Sequence, residues 1–458
     1  MLVRSPDGTL RLPALAISLL AVGATADRAP AGAAFDPAVL NGDGKSLGWH
    51  ELSRGEVCII PQTVPGLGSG AADPVQTSLC AIDFYDDASI GICAKANSTN
   101  PGVDVYKLNG NPAKAAFESS GCKQADKKRP GKKIAKFKQS ITCSDSASIL
   151  AYYELSEALG GIGDVPPAVI RTMSDDVHKK ITQAGLGTAI HGSWAMYQQA
   201  ESKPGAHPEL FTRDGKYVYG ALSKNPDDDS PYTEMVGHRT DYDHGEDAFL
   251  TTPLFKTIAS ANPIAVPNTL AGAAQQLIAL KDTSDMVLID TLLNQQDRFG
   301  NEAKRSKWVW VENGKLKFAK ADDVSPDDAA QKGAVLVDTL LLNDNDCGVS
   351  KRNWFANPKA GLKAAYPQGV LPAVRHMSAK TYHRFMSLAA AVEHDPDGMA
   401  RYFQTDLLFT PVSWASVSSN IATARRVLHD NCVAGKLRLD LDLEPRLGLA
   451  TDFTDACD

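Results

Sequence analysis

The stretch that decides the fold is residues 288–328, LIDTLLNQQDRFGNEAKRSKWVWVENGKLKFAKADDVSPDD. Its apolar beginning has helical spacing and ends at Leu293, where a polar loop begins. That loop carries Asp297 and, four residues later, Asn301. The pattern predicts a buried helix that delivers a carboxylate and an amide into the same loop.

A hairpin is predicted directly after this loop. Residues 307–311 and 315–320 are typical of strands, and an Asn-Gly pair at 313–314 separates them. Asn-Gly between two such runs is the strongest short hairpin signal, because both residues tolerate the positive φ of a type I′ turn. Asp322 and Asp323 follow the second strand. We therefore expect the hairpin to return the chain so that Asp322 lies beside the preceding loop.

This order of residues predicts a centre for phosphoryl transfer. Such a reaction uses one carboxylate to orient or deprotonate the acceptor hydroxyl, and an Asn and an Asp to hold divalent metal on the nucleotide phosphates. Asp297, Asn301 and Asp322 supply these groups in that order. Oxygen ligands of this kind suit Mg²⁺ or Mn²⁺. The alternative is a surface loop followed by a strand cap, since turns rich in Asp and Asn are common.

A second element supplies a candidate phosphate lysine. Residues 133–138, KIAKFK, form a short run with strand periodicity in which Lys136 and Lys138 share one face. The run precedes a predicted helix, residues 145–160, which begins at good N-cap residues and ends at a Gly-Gly pair. A kinase needs a lysine on a strand and an acidic partner on a helix. Either lysine fits that role, and a solvent-exposed lysine is the alternative.

The rest of the chain divides into a strand-rich first part and a helical last part. The patterns predict strands at residues 57–61, 78–84, 103–108 and 217–222. They predict helices at residues 175–184, 269–293 with a break near 282–285, 378–394, 397–407 and 416–428.

Three of these pieces resemble the atypical kinases of the secretory pathway, the Golgi casein-kinase group, and more distantly HipA-type and phosphatidylinositol-kinase-like enzymes. The run AKFK at 135–138 is similar to the phosphate-lysine strand of the group. The helix AYYELSEALG at 151–160 with VPP at 165–167 is similar to its helix that ends in Leu-Gly. Residues 290–301 resemble its catalytic loop, an Asn, then Asp-Arg, then a metal ligand four residues after the Asp.

The resemblance, which covers scattered blocks of residues 130–330, implies an α+β, two-lobed protein-kinase-like fold. The strand patterns and cysteines of residues 27–125 predict in addition a β-rich, disulfide-containing N-terminal region. The resemblance also implies that Asp297 is catalytic, that Asn301 and Asp322 bind metal, and that Lys138, rather than Lys136, binds phosphate. The cofactors would be ATP and Mg²⁺ or Mn²⁺, and the acceptor a protein, with a glycan or a lipid as alternatives. The expected organisation is a signal peptide at 1–26, a β-rich region at 27–125, an N-lobe at 126–223 and a helical C-lobe at 224–458.

The sequence departs from the group at three points. Phe299 stands where the group has His after Asp-Arg, and Ile149 stands at the in-register position of the helix acid. Glu154 is then the first candidate for the acidic partner of the lysine, and Asp145 the second. No GxGxxG loop precedes Lys138. A pseudokinase, a nucleotidyl transferase and a disulfide-stabilised extracellular binding module are the competing readings.

The N-terminus is typical of a signal peptide. Arg4 and Arg11 precede an apolar run at residues 12–22, and the small-x-small pattern at 24–26 suits signal peptidase. We expect a secreted or periplasmic protein whose mature chain starts near Asp27. The apolar run is too short for a membrane span, so none is expected. With a formal net charge of -7, the chain also lacks the basic footprint of a nucleic-acid binder.

The cysteines predict disulfides. There are eight, an even number, and no two have the CxxC spacing of a zinc site. In an oxidising compartment such residues form bridges. Five precede residue 150 and three follow residue 340, so full pairing requires at least one bridge between the two groups. The residues are Cys58, Cys80, Cys93, Cys122, Cys143, Cys347, Cys432 and Cys457.

Overall fold

The computed structural model describes most of the chain beyond residue 34. The described residues are 35–41, 45–96, 100–110, 113–124, 128–189, 191–227, 229–236, 245–299, 302–349, 366 and 369–457. The predicted signal peptide and Asn301 lie outside them. Residues 31–458 form one compact unit.

The described elements alternate between strands and helices. The strands are β1 (Gly48–Glu51), β2 (Val57–Ile60), β3 (Ile90–Ala94), β4 (Val103–Lys107), β5 (Lys132–Lys138), β6 (Ala168–Ser174), β7 (Tyr217–Lys224), β8 (Ser230–Pro231), β9 (Glu302–Glu312), β10 (Lys315–Lys320), β11 (Val335–Leu342), β12 (His376–Met377) and β13 (Arg438–Leu439). The helices are α1 (Pro74–Cys80), α2 (Lys114–Ser119), α3 (Ser146–Ala158), α4 (Asp175–Gly185), α5 (His191–Glu201), α6 (Thr233–Val236), α7 (Gly245–Thr251), α8 (Pro253–Ile258), α9 (Leu270–Leu292), α10 (Pro326–Gln331), α11 (Ala379–His394), α12 (Pro396–Thr405), α13 (Pro411–Val433) and α14 (Leu443–Arg446).

A seven-stranded antiparallel sheet occupies the first half of the chain. Its strand order is β1-β2-β6-β7-β5-β4-β3. The sheet takes strands from both sides of residue 125, so the boundary predicted there runs through one sheet. In β5, Ala135 and Phe137 are fully buried in a hydrophobic core, while Lys136 and Lys138 lie on the opposite face. The alternation expected from the sequence is therefore present.

Helix α3 joins this sheet to the helical half. The side chain of Asp145 caps its first turn by accepting from the backbone N–H of Ala147 at 2.9 Å. Nearly every residue of the helix is buried, as expected of a helix that is covered on all sides. It contacts β6, β7 and α9, and its Tyr152 hydroxyl donates to Asp290 of α9 at 2.6 Å.

The predicted hairpin is confirmed and belongs to a second sheet. Strands β9 and β10 pair across the Asn313-Gly314 turn, whose φ angles are 52° and 70°. Strand β11 pairs antiparallel with the other edge of β9, and the short β8 pairs with its beginning. Strand β11 thus carries the chain back towards the loop that follows α9.

One predicted strand is wrong. Residues 78–84 were expected to be extended, but Pro74–Cys80 forms α1. The Asp73 side chain accepts from the backbone N–H of Val75, and the Gln76 side-chain oxygen accepts from the backbone N–H of Asp73, so the two residues form a capping box. With Pro74 at the first helical position, these local signals outweigh the strand character of the apolar run.

The break predicted in the long helix is also wrong, since α9 is continuous over Leu270–Leu292. The hydroxyl of Thr283 donates to the carbonyl of Ala279 at 2.7 Å, one turn back. Lys281 forms an ion pair with Asp285 at 2.6 Å, and Asp282 accepts from a backbone N–H of β11 at 2.8 Å. The polar residues that suggested a break are thus satisfied within the helix or by the neighbouring strand.

Four disulfides complete the fold and pair all eight cysteines. Cys143–Cys347 spans 204 residues and is the bridge between the two groups that the cysteine count required. The others are Cys58–Cys80, Cys93–Cys122 and Cys432–Cys457. The α+β class and the disulfide-containing, β-rich N-terminal region are confirmed. Within the described residues, no helix combines the length and the apolar character that crossing a membrane requires.

Candidate functional site

The Asp297 loop is held by buried polar side chains. Gln295 is almost fully buried, and its side-chain oxygen accepts from the backbone N–H groups of Gln296 and Asp297 at 3.0 and 2.9 Å. The buried guanidinium of Arg298 donates twice to Asp290 of α9, each time at 2.8 Å. This bidentate pair ties the loop to the helix that precedes it. Asp297 lies between these two anchors and is itself half-buried.

Lysines of β5 face the segment that follows β11. The amine of Lys138 donates to Asp346 at 2.5 Å and to Asp344 at 3.3 Å. The amine of Lys136 donates to the side-chain oxygen of Asn343 at 3.3 Å. The face of β5 that was expected to hold phosphate is therefore directed at carboxylates from the second half of the chain.

The segment 343–348, which we call the aspartate loop, is anchored to the residues around the start of α3. The backbone N–H of Asp145 donates to the carbonyl of Asp346 at 2.7 Å. Ser148 of α3 donates to the carbonyl of Asn345 and accepts from the backbone N–H of Gly348 at 3.1 Å. The disulfide between Cys143 and Cys347 adds a covalent link. The loop is therefore fixed to the N-terminal end of α3.

The structure does not bring Asp322 to this site. Asp322 is exposed in a short turn after β10, whose last residue pairs with Lys307 of β9. Strand β11 ends opposite Glu302, five residues earlier on β9 and next to the Asp297 loop. At about 3.3 Å per residue, the two strand ends are separated by roughly 16 Å along the sheet.

Asp344 and Asp346 take the place expected for Asp322, and sequence analysis overlooked them. The signal was present, because the run VLVDTLLL at 335–342 is typical of a buried strand and NDNDCG follows it. The sequence pattern favours Asp322 instead, because the hairpin that precedes Asp322 has a local turn signal. The pairing of β11 with the far edge of β9 spans more residues and has no comparable turn signal.

The helix acids also lie elsewhere. Glu154 is buried and accepts from Gln76 at 3.4 Å, and burial raises its pKa to about 8. Asp145 caps α3 and accepts from Ser140 at 3.1 Å. Ile149 instead lines a small pocket together with Lys136, Lys138 and the aspartate loop, and we call this pocket the cleft. Among the described contacts, Lys138 therefore pairs with the aspartate loop and with no carboxylate of α3.

Electrostatic interactions connect Asp297 to the aspartate loop. Burial raises the pKa of Asp297 to about 6, and the carboxylates of Asp344 and Asp346 act in the same direction. The Lys138 ammonium is the main cause that holds the pKa of Asp344 well below its usual range. Burial of Asp344 opposes this effect, and the charges of Lys95 and Lys136 add to it. Burial of the lysine alone would lower the pKa of Lys138, but the two aspartates outweigh it and raise that pKa.

Lys95 is a further residue that sequence analysis overlooked. It follows β3 directly, and its backbone N–H donates to the carbonyl of Gly102 at 2.8 Å across the hairpin between β3 and β4. Burial, followed by the nearby Lys138, lowers the pKa of Lys95 to about 8. No motif marks this lysine, since its place beside Asp344 follows from the pairing of β3, β4 and β5.

Within the described residues, the one compact group of possible metal ligands contains Asp297 but neither Asp344 nor Asp346. Asp297 lies within 4.8 Å of the sulfurs of Cys143 and Cys347, but those sulfurs are joined in a disulfide and offer no thiolate. The carboxylates of Asp297, Asp344 and Asp346 are oxygen donors, which Mg²⁺ and Mn²⁺ prefer. Burial, followed by the carboxylates of Asp344 and Asp346, raises the pKa of Asp297, and a cation bound nearby would oppose the part that the two carboxylates contribute.

Comparison with known proteins adds a distant similarity. No protein-family model and no curated protein matches the sequence. Two crystal structures described as the Golgi casein kinase, one of them with Mn/ADP bound, match with a TM-score of 0.38 and 9% identity. The matches cover 79% of this chain and 77% and 76% of those chains. Neither supports the more distant resemblance to HipA-type and phosphatidylinositol-kinase-like enzymes. A similarity of this degree carries no argument, so the function rests on the site geometry.

Proposed function

We propose that this protein is an ATP-dependent phosphotransferase of the protein-kinase type, which transfers the γ-phosphoryl group to a protein hydroxyl with the help of a divalent metal. The observation that carries the proposal is the meeting of Lys138, Asp297 and the aspartate loop, which come from three separate parts of the chain. A lysine on a strand, a carboxylate in a loop and a second carboxylate after a strand are the groups that this reaction needs.

Each of these residues has a role that its surroundings support. Asp297 would accept the proton of the acceptor hydroxyl, and a pKa of about 6 leaves it mostly ionised at neutral pH while keeping it basic enough to act. Lys138 would hold the α- and β-phosphates, with Lys136 adding positive charge to the same cleft and Lys95 adding it nearby. Asp344 would hold the metal, which when bound neutralises phosphate charge. Asn301 stays a predicted second ligand.

One observation favours a second candidate function. Protein kinases pair the phosphate lysine with an acid on the adjacent helix, and here Ile149 lines the cleft at that position. A pseudokinase that binds nucleotide and regulates a partner would tolerate this change. Nucleotide binding without transfer would distinguish this candidate from the kinase, and use of α- rather than γ-labelled phosphate would indicate a nucleotidyl transferase.

The compartment is part of the proposal. Four disulfides, with every described cysteine paired, favour an oxidising environment such as the secretory pathway or the periplasm. The N-terminal pattern at residues 1–26 suits export in the same way.

The experiment that tests the proposed function compares the wild type with Asp297→Asn. Both proteins are incubated with γ-labelled ATP and Mg²⁺ or Mn²⁺, with and without an acidic protein substrate. Loss of the base is expected to reduce label transfer by about 10²- to 10⁴-fold. Asp322→Asn is the matched control, because this aspartate is exposed and distant from the cleft. Equal transfer by wild type and Asp297→Asn would contradict the proposal.

A further inference from the structure

We propose that Asp346 is the positioning partner of Lys138, the role that an acid on the helix has in protein kinases, and that Asp344 is left to face the metal. The inference rests on the proposed function, since it assigns roles within that site. It divides two aspartates that are only two residues apart into a lysine anchor and a metal ligand.

The two aspartates differ in their contact with the lysine. Asp346 lies 2.5 Å from the amine of Lys138, and the side chains of both partners are only 4% exposed. Asp344 lies 3.3 Å from the same amine, and its side chain is 36% exposed. A buried lysine needs a close partner, because an uncompensated charge in the interior is strongly unfavourable. Asp346 meets that need, while Asp344 keeps oxygen surface open to the cleft.

Asp346 is also held firmly through its backbone and its neighbouring residues. The carbonyl of Asp346 accepts from Asp145, and the next residue, Cys347, is bound to Cys143. These contacts fix Asp346 to the start of α3, the helix that would otherwise supply the acid. The neighbouring Asn345 is fixed as well, because its side chain accepts from Arg298 at 2.8 Å. Asp346 therefore has the rigid support that a positioning residue requires.

The helix itself offers no competitor for this role. Ile149 presents an apolar side chain to the cleft that Lys136 and Lys138 line. Glu154 lies on the same helix but pairs with Gln76 of α1. In this chain, the acidic partner of the lysine thus comes from the aspartate loop and not from the helix. One loop then sets both the lysine and the metal ligand, so the two are expected to form or fail together when the loop is displaced.

The test uses the full chain without nucleotide first. Reaction of Lys138 with an amine-acylating reagent is followed by mass spectrometry in the wild type, Asp346→Asn and Asp344→Asn. We expect Asp346→Asn to accelerate modification of Lys138 by about tenfold or more, because it removes the close partner of a buried charge. Asp344→Asn is expected to accelerate the modification less than Asp346→Asn does, because the closer contact between Asp346 and the amine remains. Modification of Lys138 that is faster in Asp344→Asn than in Asp346→Asn would overturn the assignment.

A second-site change separates positioning from general damage. Ile149→Glu places a carboxylate on the helix face that lines the cleft, where a helix acid would stand. Combined with Asp346→Asn, it is expected to restore protection of Lys138 and most of the ATP affinity measured with Mn²⁺. Combined with Asp344→Asn, it is expected to restore neither metal dependence nor ATP affinity. Rescue of both variants to the same degree, or of neither, would overturn the inference.

The outcomes remain distinguishable from failure of the proposed function. If the wild type binds no nucleotide, the kinase proposal fails, while the acylation of Lys138 still decides whether Asp346 is its anchor. Circular dichroism and thermal melting establish that each variant is folded. If Asp346→Asn does not fold, Asp344→Asn carries the test alone, because a tenfold or larger acceleration of Lys138 modification in that variant contradicts the proposed division of roles.

Discussion

Two strands flank β9, and each is followed by two aspartates, yet the two pairs have opposite surroundings. Asp322 and Asp323 follow β10 and are exposed. Asp344 and Asp346 follow β11 and form ion pairs with a buried lysine of the first sheet. The local sequence pattern is similar, so the difference comes from what each strand end meets. Strand β11 ends where β9 begins, beside the Asp297 loop, whereas β10 ends part-way along β9.

The comparison shows that the register of strand pairing decides whether a carboxylate at a strand end reaches the cleft. Both β10 and β11 run antiparallel to β9, so both point towards the same end of the sheet. Only β11 continues far enough to reach the cleft, where Ser148 and Asp145 of the α3 region take hold of the chain. A carboxylate that stops earlier on the sheet remains in solvent.

The largest expected effect is on metal-dependent ATP binding. It is tested by the same Asp-to-Asn change at each of the two strand ends. Asp344→Asn should weaken Mn²⁺-dependent ATP binding by about 100-fold or more, because a metal contributes several kcal/mol of charge stabilisation that requires its ligand. Asp322→Asn should leave binding within about twofold, as expected for an exposed aspartate. Isothermal titration with ATP and Mn²⁺ measures both. A comparable loss in the two variants would break the distinction between the strand ends.

The next effect concerns the covalent link of the aspartate loop. Replacing Cys143 and Cys347 by Ala opens a loop with a sequence separation of 204, against 25 for Cys432 and Cys457. Loop-closure entropy alone makes the first replacement about 2 kcal/mol more destabilising than the second.

Denaturant unfolding of the two double variants measures this difference. ATP affinity provides the second readout and should fall only when the Cys143–Cys347 link is removed, because of these two disulfides only that one is attached to the aspartate loop. Equal affinities in the two variants would mean that the hydrogen bonds to α3 are sufficient to hold the loop.

How far the sequence predicts this site can be judged from the elements on either side of it. The end of α9, the Asn313-Gly314 turn and the cap of α3 were predictable, because each has a local signal of capping, turn chemistry or periodicity. The same signals gave Asp297 and Lys138 as candidates, and the structure brings these two into one electrostatic cluster.

The missing part of the prediction is non-local. The role of β11, the proximity of Lys95 to Lys138 and Asp344, and the pairing of Glu154 with Gln76 depend on contacts between segments distant in sequence. A hairpin is recognisable because its two strands share a turn, whereas β9 and β11 are separated by β10 and α10. Sequence proximity to Asp297 therefore favours Asp322 as the metal ligand, whereas strand pairing places Asp344 and Asp346 beside Lys138 in the structure.

The pH dependence of activity sharpens the comparison further. Burial and the two aspartates of the loop raise the pKa of Asp297 to about 6. A general base works in its ionised form, so kcat/KM should fall about tenfold for each pH unit below 6. A pH–rate profile of the wild type measures this limb. Asp322→Asn should keep the same midpoint, and a midpoint near 4 in the wild type would contradict the combined effect of burial and of the aspartate loop on Asp297.

The smallest effects are expected from replacing one glycine near each strand end by alanine, Gly348 in the aspartate loop and Gly314 in the β9–β10 turn. A Cβ at Gly348 would lie 2.4 Å from the Ser148 hydroxyl and 3.2 Å from the carbonyl of Leu293, so Gly348→Ala should cost about 1–3 kcal/mol of stability and displace the aspartate loop. A Cβ at Gly314 meets nothing within 4 Å, and only its φ of +70° opposes the change, which costs about 1 kcal/mol.

Thermal melting together with ATP affinity separates the two glycines. Gly314→Ala should lower the melting temperature slightly and leave ATP affinity unchanged, because the hairpin tip is remote from the cleft. Gly348→Ala should lower both, since the overlap is with the helix that holds the loop. If Gly314→Ala also lowered ATP affinity, the β10 end of the sheet would be coupled to the cleft after all, and the separation of the two strand ends would not hold.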